Sequence, residues 1–172
     1  MSLYYLQPVH MQDIDIAMNL INDGKEYLKD QGIDQWQTGY PDIENIRQDI
    51  VNNRGYFITD GIHKLAYLCI DFGGEPAYKE LKGAWKSSLP YAVIHRLAAG
   101  KKNVGNGLSA SVIRLTEELC KKKGIYSIRA DTDKNNTIMQ HILKKHGFQY
   151  CGTVWFAGSE KIAFEKLLYE NR

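Results

Sequence analysis

The sequence is poor in the features that would place it outside ordinary globular chemistry. It has three cysteines, Cys69, Cys120 and Cys151, an odd number and far apart. No C-x-x-C pair occurs, so neither a zinc site nor a disulfide framework is expected. Each thiol reads as a small core hydrophobe, a usage that suits a reducing, cytoplasmic compartment. No apolar run exceeds a few residues, which gives no candidate membrane span. The opening MSLYYLQPVHMQD lacks a basic region followed by an apolar stretch, so no secretory leader is read there. Charge of one sign is also lacking: 22 basic residues stand against 20 acidic, a net charge of +2. Bulk charge thus gives no reason to expect a nucleic-acid partner, and any anion must be held by a local cluster.

What is present is a chain of 172 residues, 44% hydrophobic and 24% charged, enough for one domain over 1–172 with its own core. Residues 3–9 read as a strand. Asp13 is placed to cap a helix running to about residue 28, with Ile14, Ala17, Met18, Ile21 and Leu28 on one face. The loop QGIDQWQTGYP follows, then a helix over DIENIRQDIVNN with Ile43, Ile46, Ile50 and Val51 as its buried side. GYFITDGIHKLAYLCIDF reads as a hairpin about a tight Asp60-Gly61 turn. Residues 73–90 are irregular, with a short helix near 77–81, and 91–99 form a strand. A helix over about 105–123 stops at Gly124. IYSIRADT is another strand, NNTIMQHILKKHG a helix opened by asparagine, and the remainder two strands about Gly158-Ser159. The strand-helix-strand unit over 91–131 implies a parallel pair. The expected fold is mixed α/β: a mostly antiparallel central sheet of about seven strands with about four helices.

The chemistry concentrates at RLAAGKKNVGNGLSASVI, where a strand passes into a helix through Gly105 and Gly107. The P-loop pattern G-x-x-x-x-G-K-[ST] is missing. G-x-G-x-x-G fails at its third glycine, which is Ala110, and Asp131 lies out of register for a ribose contact. The local physics still favours phosphate. The first turn of a helix carries unpaired N–H groups and partial positive charge, and glycine lets an anion approach them closely. The helix field alone is worth about 0.3–1 kcal/mol. Lys101 and Lys102 add charge beside it. A plain chain reversal remains the alternative, as does a module that binds another nucleotide.

Two stretches together resemble the GNAT acetyltransferase superfamily. Leu97-Ala98-Ala99 stands where that family ends a strand. The turn Lys102-Asn103-Val104-Gly105-Asn106-Gly107 resembles its [QR]-x-x-G-x-[GA], with lysine replacing Gln or Arg. The second signature, N-x-x-A-x-x-L-Y-x-K-x-G-F, reads here Asn136, Met139, Ile142, Leu143, Lys145, Gly147, Phe148. The resemblance covers nearly the whole element order and implies acetyl-CoA as cosubstrate, with no metal. By resemblance, Leu97, Ala98 and Ala99 would pair with the pantetheine arm through their main chain. Lys102 and Asn103 lead into Val104, Gly105, Asn106, Gly107, Leu108 and Ser109, whose N–H groups would hold the pyrophosphate. Asn136 would bond the pantetheine, with Met139 and Lys145 on the same helix. The implied activity is direct transfer of acetyl to an amine of a small molecule or peptide. The alternative is a catalytically degenerate CoA-binding sensor of the same fold.

An alkylammonium of pKa about 10.4 must lose a proton before it attacks, so a base is required. His95 is the candidate, two residues before Leu97; a strand histidine satisfied by a neighbour is the other reading. For Arg96, a structural ion pair suffices. The family's usual acid is the tyrosine of its second signature, and this chain has Leu143 there. Tyr150 is the substitute, unless it is a packed strand residue. Trp36 and Tyr40 either wall the acceptor or, for Trp36, plug the core. Glu75 and Tyr78 are acceptor candidates by position. His10, His63, His141 and His146 show no metal-ligand spacing. The last hairpin, with Trp155 and Phe156 on adjacent faces, offers an edge for a homodimer.

Overall fold

The computed structural model describes residues 3–169. Its strands are β1 (Tyr5–Pro8), β2 (Gly55–Thr59), β3 (Lys64–Asp71), β4 (Lys82–Gly83), β5 (Ala92–Ala99), β6 (Ser127–Asp133), β7 (Gln149–Phe156) and β8 (Ser159–Leu167). Its helices are α1 (Ile14–Asp30), α2 (Ile43–Val51), α3 (Leu108–Lys122) and α4 (Thr137–Lys145). The strands are hydrogen-bonded in the order β1-β2-β3-β5-β6-β8-β7-β4. The β5–β6 pair is parallel, while β1–β2, β2–β3, β4–β7, β6–β8 and β7–β8 are antiparallel. The mixed, mostly antiparallel α/β fold is as expected, with eight strands in place of about seven. The extra one is β4, two residues inside the segment read as irregular. No helix among the described residues is long and apolar enough to cross a membrane.

Backbone contacts divide the chain into two compact units. One runs to Ile70 and takes in His95–Leu115; the other comprises Asp71–Ile94 and the chain from Thr116.

In the first unit, α1 buries Ala17, Leu20, Ile21, Gly24 and Leu28 at helical spacing. Ala17, Leu20 and Ile21 join Ile46, Ile50, Phe57, Tyr67 and Ala98 in one core, with Ile14, Met18 and Trp36 at its margin. Each large aliphatic side chain so buried contributes about 1.5–3 kcal/mol. Gly24 keeps α1 close to β5: a Cβ there would lie 3.0 Å from the Ala98 Cβ and 3.2 Å from the Trp36 ring.

Three local expectations for this unit are corrected. Asp13 makes no side-chain cap, because a single 3-10 turn at Met11–Asp13 leads into α1. The β2–β3 turn spans residues 60–63 instead of two, with the Asp60 carboxylate accepting the N–H groups of Ile62 and His63 at 2.8 and 2.7 Å. The buried side of α2 is Ile46, Asp49 and Ile50, whereas Ile43 and Val51 are 43% and 60% exposed. The wheel is turned because Asp49 has cationic partners inside. The entry of α2 is fixed by a reciprocal capping box between Asp42 and Asn45.

In the second unit, β6 pairs with β8 from Ser127–Leu167 to Asp133–Lys161. The segment before β5 is attached at β4, where Gly83 faces Gly152 of β7. Both glycines have positive φ, 143° and 148°. A Cβ on Gly83 would come 2.1 Å from the Cys151 carbonyl oxygen, and one on Gly152 would come 2.2 Å from that of Lys82. Only glycine fits either position. Tyr78, Val93, Val154 and Ala163 form the apolar cluster here, with Ala77, Leu81, Trp85 and Tyr91 against it.

Candidate functional site

The β5–β6 ladder consists of three pairs, Ala92–Ile128, Val93–Arg129 and Ile94–Ala130, and ends there. β5 continues through His95 to Ala99, and β6 through Asp131 to Asp133.

In the first unit, β5 does not stay regular. Arg96 has φ 53°, outside the strand region, which breaks the side-chain alternation after His95. The guanidinium that results is held on several sides. Arg96 Nε donates to Asp49 Oδ2 at 2.8 Å, Nη2 donates to Asp49 Oδ1, and Nη1 donates to the Tyr40 hydroxyl at 2.9 Å. Asp49 also accepts Tyr67 Oη at 2.6 Å and Arg54 Nε at 3.1 Å, and its side chain is wholly inaccessible. Desolvation, followed by the Asp49 charge, pushes the Tyr67 hydroxyl well above the usual phenol range. Arg96 is thus a structural ion pair, and Tyr40 braces it from the first loop. Trp36 lies partly buried against the α1 core.

His95 is 7% exposed. Burial first, then the Arg96 charge, pushes its pKa down to about 3. The imidazole named as the candidate base is therefore neutral throughout the physiological range and holds a proton weakly.

Past Ala99 the chain is tied down and then released. Gly100 N–H bonds the Leu65 carbonyl at 2.9 Å, and Asn103 Nδ2 bonds the same oxygen at 3.2 Å. Lys101 N–H reaches Asp23 at 3.1 Å, and its ammonium pairs with Glu26 at 2.6 Å. Of the two lysines read as phosphate-side charge, Lys101 is engaged by α1, and Lys102 is exposed. Gly105 and Gly107 have φ of 85° and 71°. A Cβ at either would meet nothing within 4 Å. They are needed for backbone shape, and the space before them is open. Val104, Asn106 and Gly107 are exposed, Leu108 is buried at the start of α3, and Ser109 is half-buried. No acidic side chain stands in the first turn of α3. An anion would meet main-chain N–H groups and the positive helix end, with the Asn106 N–H turned to the Asn103 carbonyl at 3.4 Å. This donor set suits a diphosphate.

In the second unit, Asn136 caps α4: its Oδ1 accepts Met139 N–H at 3.0 Å. Leu143 is the buried residue of α4, so an apolar contact occupies the place of the family's tyrosine. Lys145 is exposed and Met139 half-buried. Tyr150 is 54% exposed, with its ring edge-on to Phe164. It is therefore not packed inside, contrary to one of the two sequence readings. Glu75 caps the 3-10 turn at Pro76–Glu80, accepting Ala77 N–H at 3.1 Å. It also lines an open cleft of about 490 Å³ with Phe72, Lys79, Leu89 and Tyr91. Tyr78 is buried, and its hydroxyl donates to Asp131 Oδ2 at 2.6 Å.

The sheet face under Tyr78 is polar, and the sequence reading missed it. Ser127, Arg129, Asp131 and Asp133 alternate along β6, opposite Leu167, Glu165, Ala163 and Lys161 of β8. The Arg129 guanidinium lies 4.0 Å from the ring centroids of both Trp85 and Tyr91 and donates to the Ser87 carbonyl. Glu165 accepts the Lys86 N–H and the hydroxyls of Ser87 and Ser127. Strict alternation of Arg, Asp, Asp in IYSIRADTD was the available signal, since three charges on one face of a central strand need partners. Among the described residues, no group of three or more His, Cys, Asp or Glu is placed to hold a metal.

The architecture is a mixed α/β sheet with one short parallel pair, whose first strand leaves through a glycine turn into α3. The acetyltransferase (GNAT) family model matches residues 21–148, and the chain belongs to that family. A GNAT acetyltransferase from Streptococcus agalactiae is 29% identical, with 97% of this chain and 96% of that one covered and a TM-score of 0.87. One from Listeria monocytogenes is 21% identical over 96% and 95%, with a TM-score of 0.76. The aminoglycoside acetyltransferase AAC(6')-Ib, solved with ribostamycin and coenzyme A, is 18% identical over 95% and 93%, with a TM-score of 0.69. At these last two identities the likeness is one of fold. No curated protein matches the chain.

Proposed function

We propose that this protein transfers acetyl from acetyl-CoA to an amine of a small molecule or peptide, in one step within a ternary complex. The observation that carries the reading is the open glycine turn. Gly105 and Gly107 take positive φ with free space before them, at the head of a helix whose first turn has no acidic side chain. Acetyl-CoA, when bound, supplies a thioester carbonyl that an amine can attack. The chain's part is positional. Val104, Gly105, Asn106, Gly107, Leu108 and Ser109 would bind the diphosphate through N–H groups, with Lys102 and Asn103 at the entry. Leu97, Ala98 and Ala99 would pair with the pantetheine arm, and Asn136, Met139 and Lys145 would flank it. Main-chain donors near Ala98 and Ala99 would stabilise charge developing on oxygen. Trp36 and Tyr40 would border the acceptor side by family position, as would Glu75. AAC(6')-Ib was solved with an aminoglycoside, which supports a small amine as acceptor.

A second reading is a CoA-binding sensor without turnover, favoured by the buried Leu143 where the family places its acid. One pair of measurements decides. Calorimetry with acetyl-CoA is expected to show saturable heat that Gly105→Glu abolishes; unchanged affinity in that variant would refute the cradle. Thiol release is then followed across amines, polyamines and peptides. Binding with release in none of them selects the sensor.

A further inference from the structure

Resting on the acetyl-transfer reading, we infer that Trp36 sets the length of the acyl chain this protein takes from coenzyme A, admitting acetyl and excluding chains of four carbons or more. All the residues concerned belong to the first unit. Trp36 lies in the loop between α1 and α2 with φ 66°. That is the left-handed region, which a bulky aromatic residue occupies only where its surroundings hold it there. Two sets of contacts do so. Gln37, the next residue, donates its N–H to the Asp34 carbonyl at 3.2 Å, and its side-chain amide donates to the Lys25 carbonyl of α1 at 2.9 Å. Further along the loop, the Tyr40 hydroxyl accepts from Arg96 of β5 at 2.9 Å. The loop is thereby fastened to α1 at one point and to β5 at another.

The indole is turned onto the strand segment that the reading gives to the pantetheine arm, Leu97–Ala99. Its Cζ3 edge and the Ala98 Cβ press on the same point of α1, Gly24. A Cβ built there would lie 3.2 Å from the one and 3.0 Å from the other. Gly24 stands inside a helix, where glycine is less favourable than alanine, and this crowding is what calls for it. The notch has little bulk of its own: Gly24 and Ala98 supply at most a methyl group, and the ring fills it. Phe57 and Tyr67, the other aromatics of this core, are wholly enclosed. Trp36 is half-buried, so part of the indole stays uncovered while its edge is seated.

The reading stations the thioester at Ala98 and Ala99, and Trp36 is the partly uncovered aromatic set against Ala98. Acetyl ends one carbon beyond the thioester carbonyl, whereas butyryl carries two further methylenes. A fixed ring that admits the first must exclude the second or be displaced. In an apolar pocket one methylene is worth about 10–200-fold in discrimination. A ring that only plugged the core would change stability and leave the choice of donor alone, so measurement separates the two roles.

Calorimetry on the full chain with coenzyme A, acetyl-CoA, butyryl-CoA and hexanoyl-CoA tests this without any acceptor. Wild type, Trp36→Ala and Trp36→Phe are compared, with far-ultraviolet circular dichroism reporting the fold. Wild type is expected to bind butyryl-CoA about tenfold or more weaker than acetyl-CoA, and hexanoyl-CoA weaker still. In Trp36→Ala that discrimination should nearly vanish, with coenzyme A itself bound as in wild type. Trp36→Phe keeps a ring in the core and should fall between the two, so a poorly folded alanine variant leaves the question decidable. If wild type binds butyryl-CoA as tightly as acetyl-CoA, or a folded variant keeps the full wild-type discrimination, this inference is overturned and acetyl-CoA binding stands. If none of the four is bound, the acetyl-transfer reading falls and takes this inference with it.

Discussion

Removing the Asp49 charge should damage this protein more than any surface change of similar size. Asp49 is fully enclosed and receives Arg96 in a two-point pair, Arg54 through Nε, and the Tyr67 hydroxyl. The Arg96 side chain is 9% accessible. With Asp49→Asn, a buried guanidinium keeps its charge and loses its counter-ion, a defect that typically costs about 3–5 kcal/mol. Asparagine can still accept the Tyr67 hydroxyl, so that bond need not be added to the loss. Against a total stability of about 5–15 kcal/mol this is a large share. For a chain of this length it corresponds to a fall in Tm of roughly 6–20 °C. Differential scanning calorimetry at pH 7 reads it directly. The pairing argument makes a second demand: Arg96→Met in the Asp49→Asn background should cost less than in wild type, because the unpaired charge is then gone. A Tm within about 2 °C of wild type for Asp49→Asn, or strictly additive losses in the double variant, would refute the reasoning.

The remaining expectations concern packing, thiols and pH. Gly152→Ala would set a Cβ 2.2 Å from the Lys82 carbonyl oxygen at φ 148°, so β4 should detach from β7; faster hydrogen exchange at Ala84 N–H, which bonds Cys151 O, measures it. All three cysteines are buried, and burial pushes the Cys120 thiol up to about 12; an aromatic disulfide reagent at pH 8 should label none until denaturant is added. His95 is held neutral in the fold with a pKa of about 3, against 6.5 unfolded. A depressed folded value means that stability is present above the unfolded pKa and lost as pH falls through it. The urea stability advantage of wild type over His95→Gln should accordingly shrink by about 2 kcal/mol between pH 7 and pH 5, and an advantage constant over that range would contradict the burial.

Periodicity and turn chemistry made most elements legible before any coordinates. The α1 stripe, the Asn136 cap and the glycine stops after α3 and α4 all stand where local rules put them. Two of the larger errors share one cause: a partner distant in sequence. α2 looked apolar at Ile43 and Val51, but its inner face is set by Asp49, and Asp49 is inside because Arg96, 47 residues later, bends out of β5 to meet it. β4 was invisible because two residues carry no period, and its existence depends on Gly83 meeting Gly152. The glycine turn was readable because it acts through its own backbone, and resemblance added a ligand to it.

The same distinction separates the two histidine and carboxylate readings. His95 was chosen for its residue type and its place in the strand, which sequence displays. What decides its chemistry is enclosure beside Arg96, which sequence does not. Asp131 looked like one more strand residue, at the wrong spacing for a ribose contact. Its character comes from Tyr78, 53 positions earlier, reaching over the sheet to one carboxylate oxygen while Lys161 goes to Asp133. Had Lys161 bonded Asp131, the carboxylate would be held ionised by a cation and would be a poorer proton acceptor. Which of the two carboxylates carries a cation and which a neutral hydroxyl is therefore decided by side chains 28 and 53 positions away.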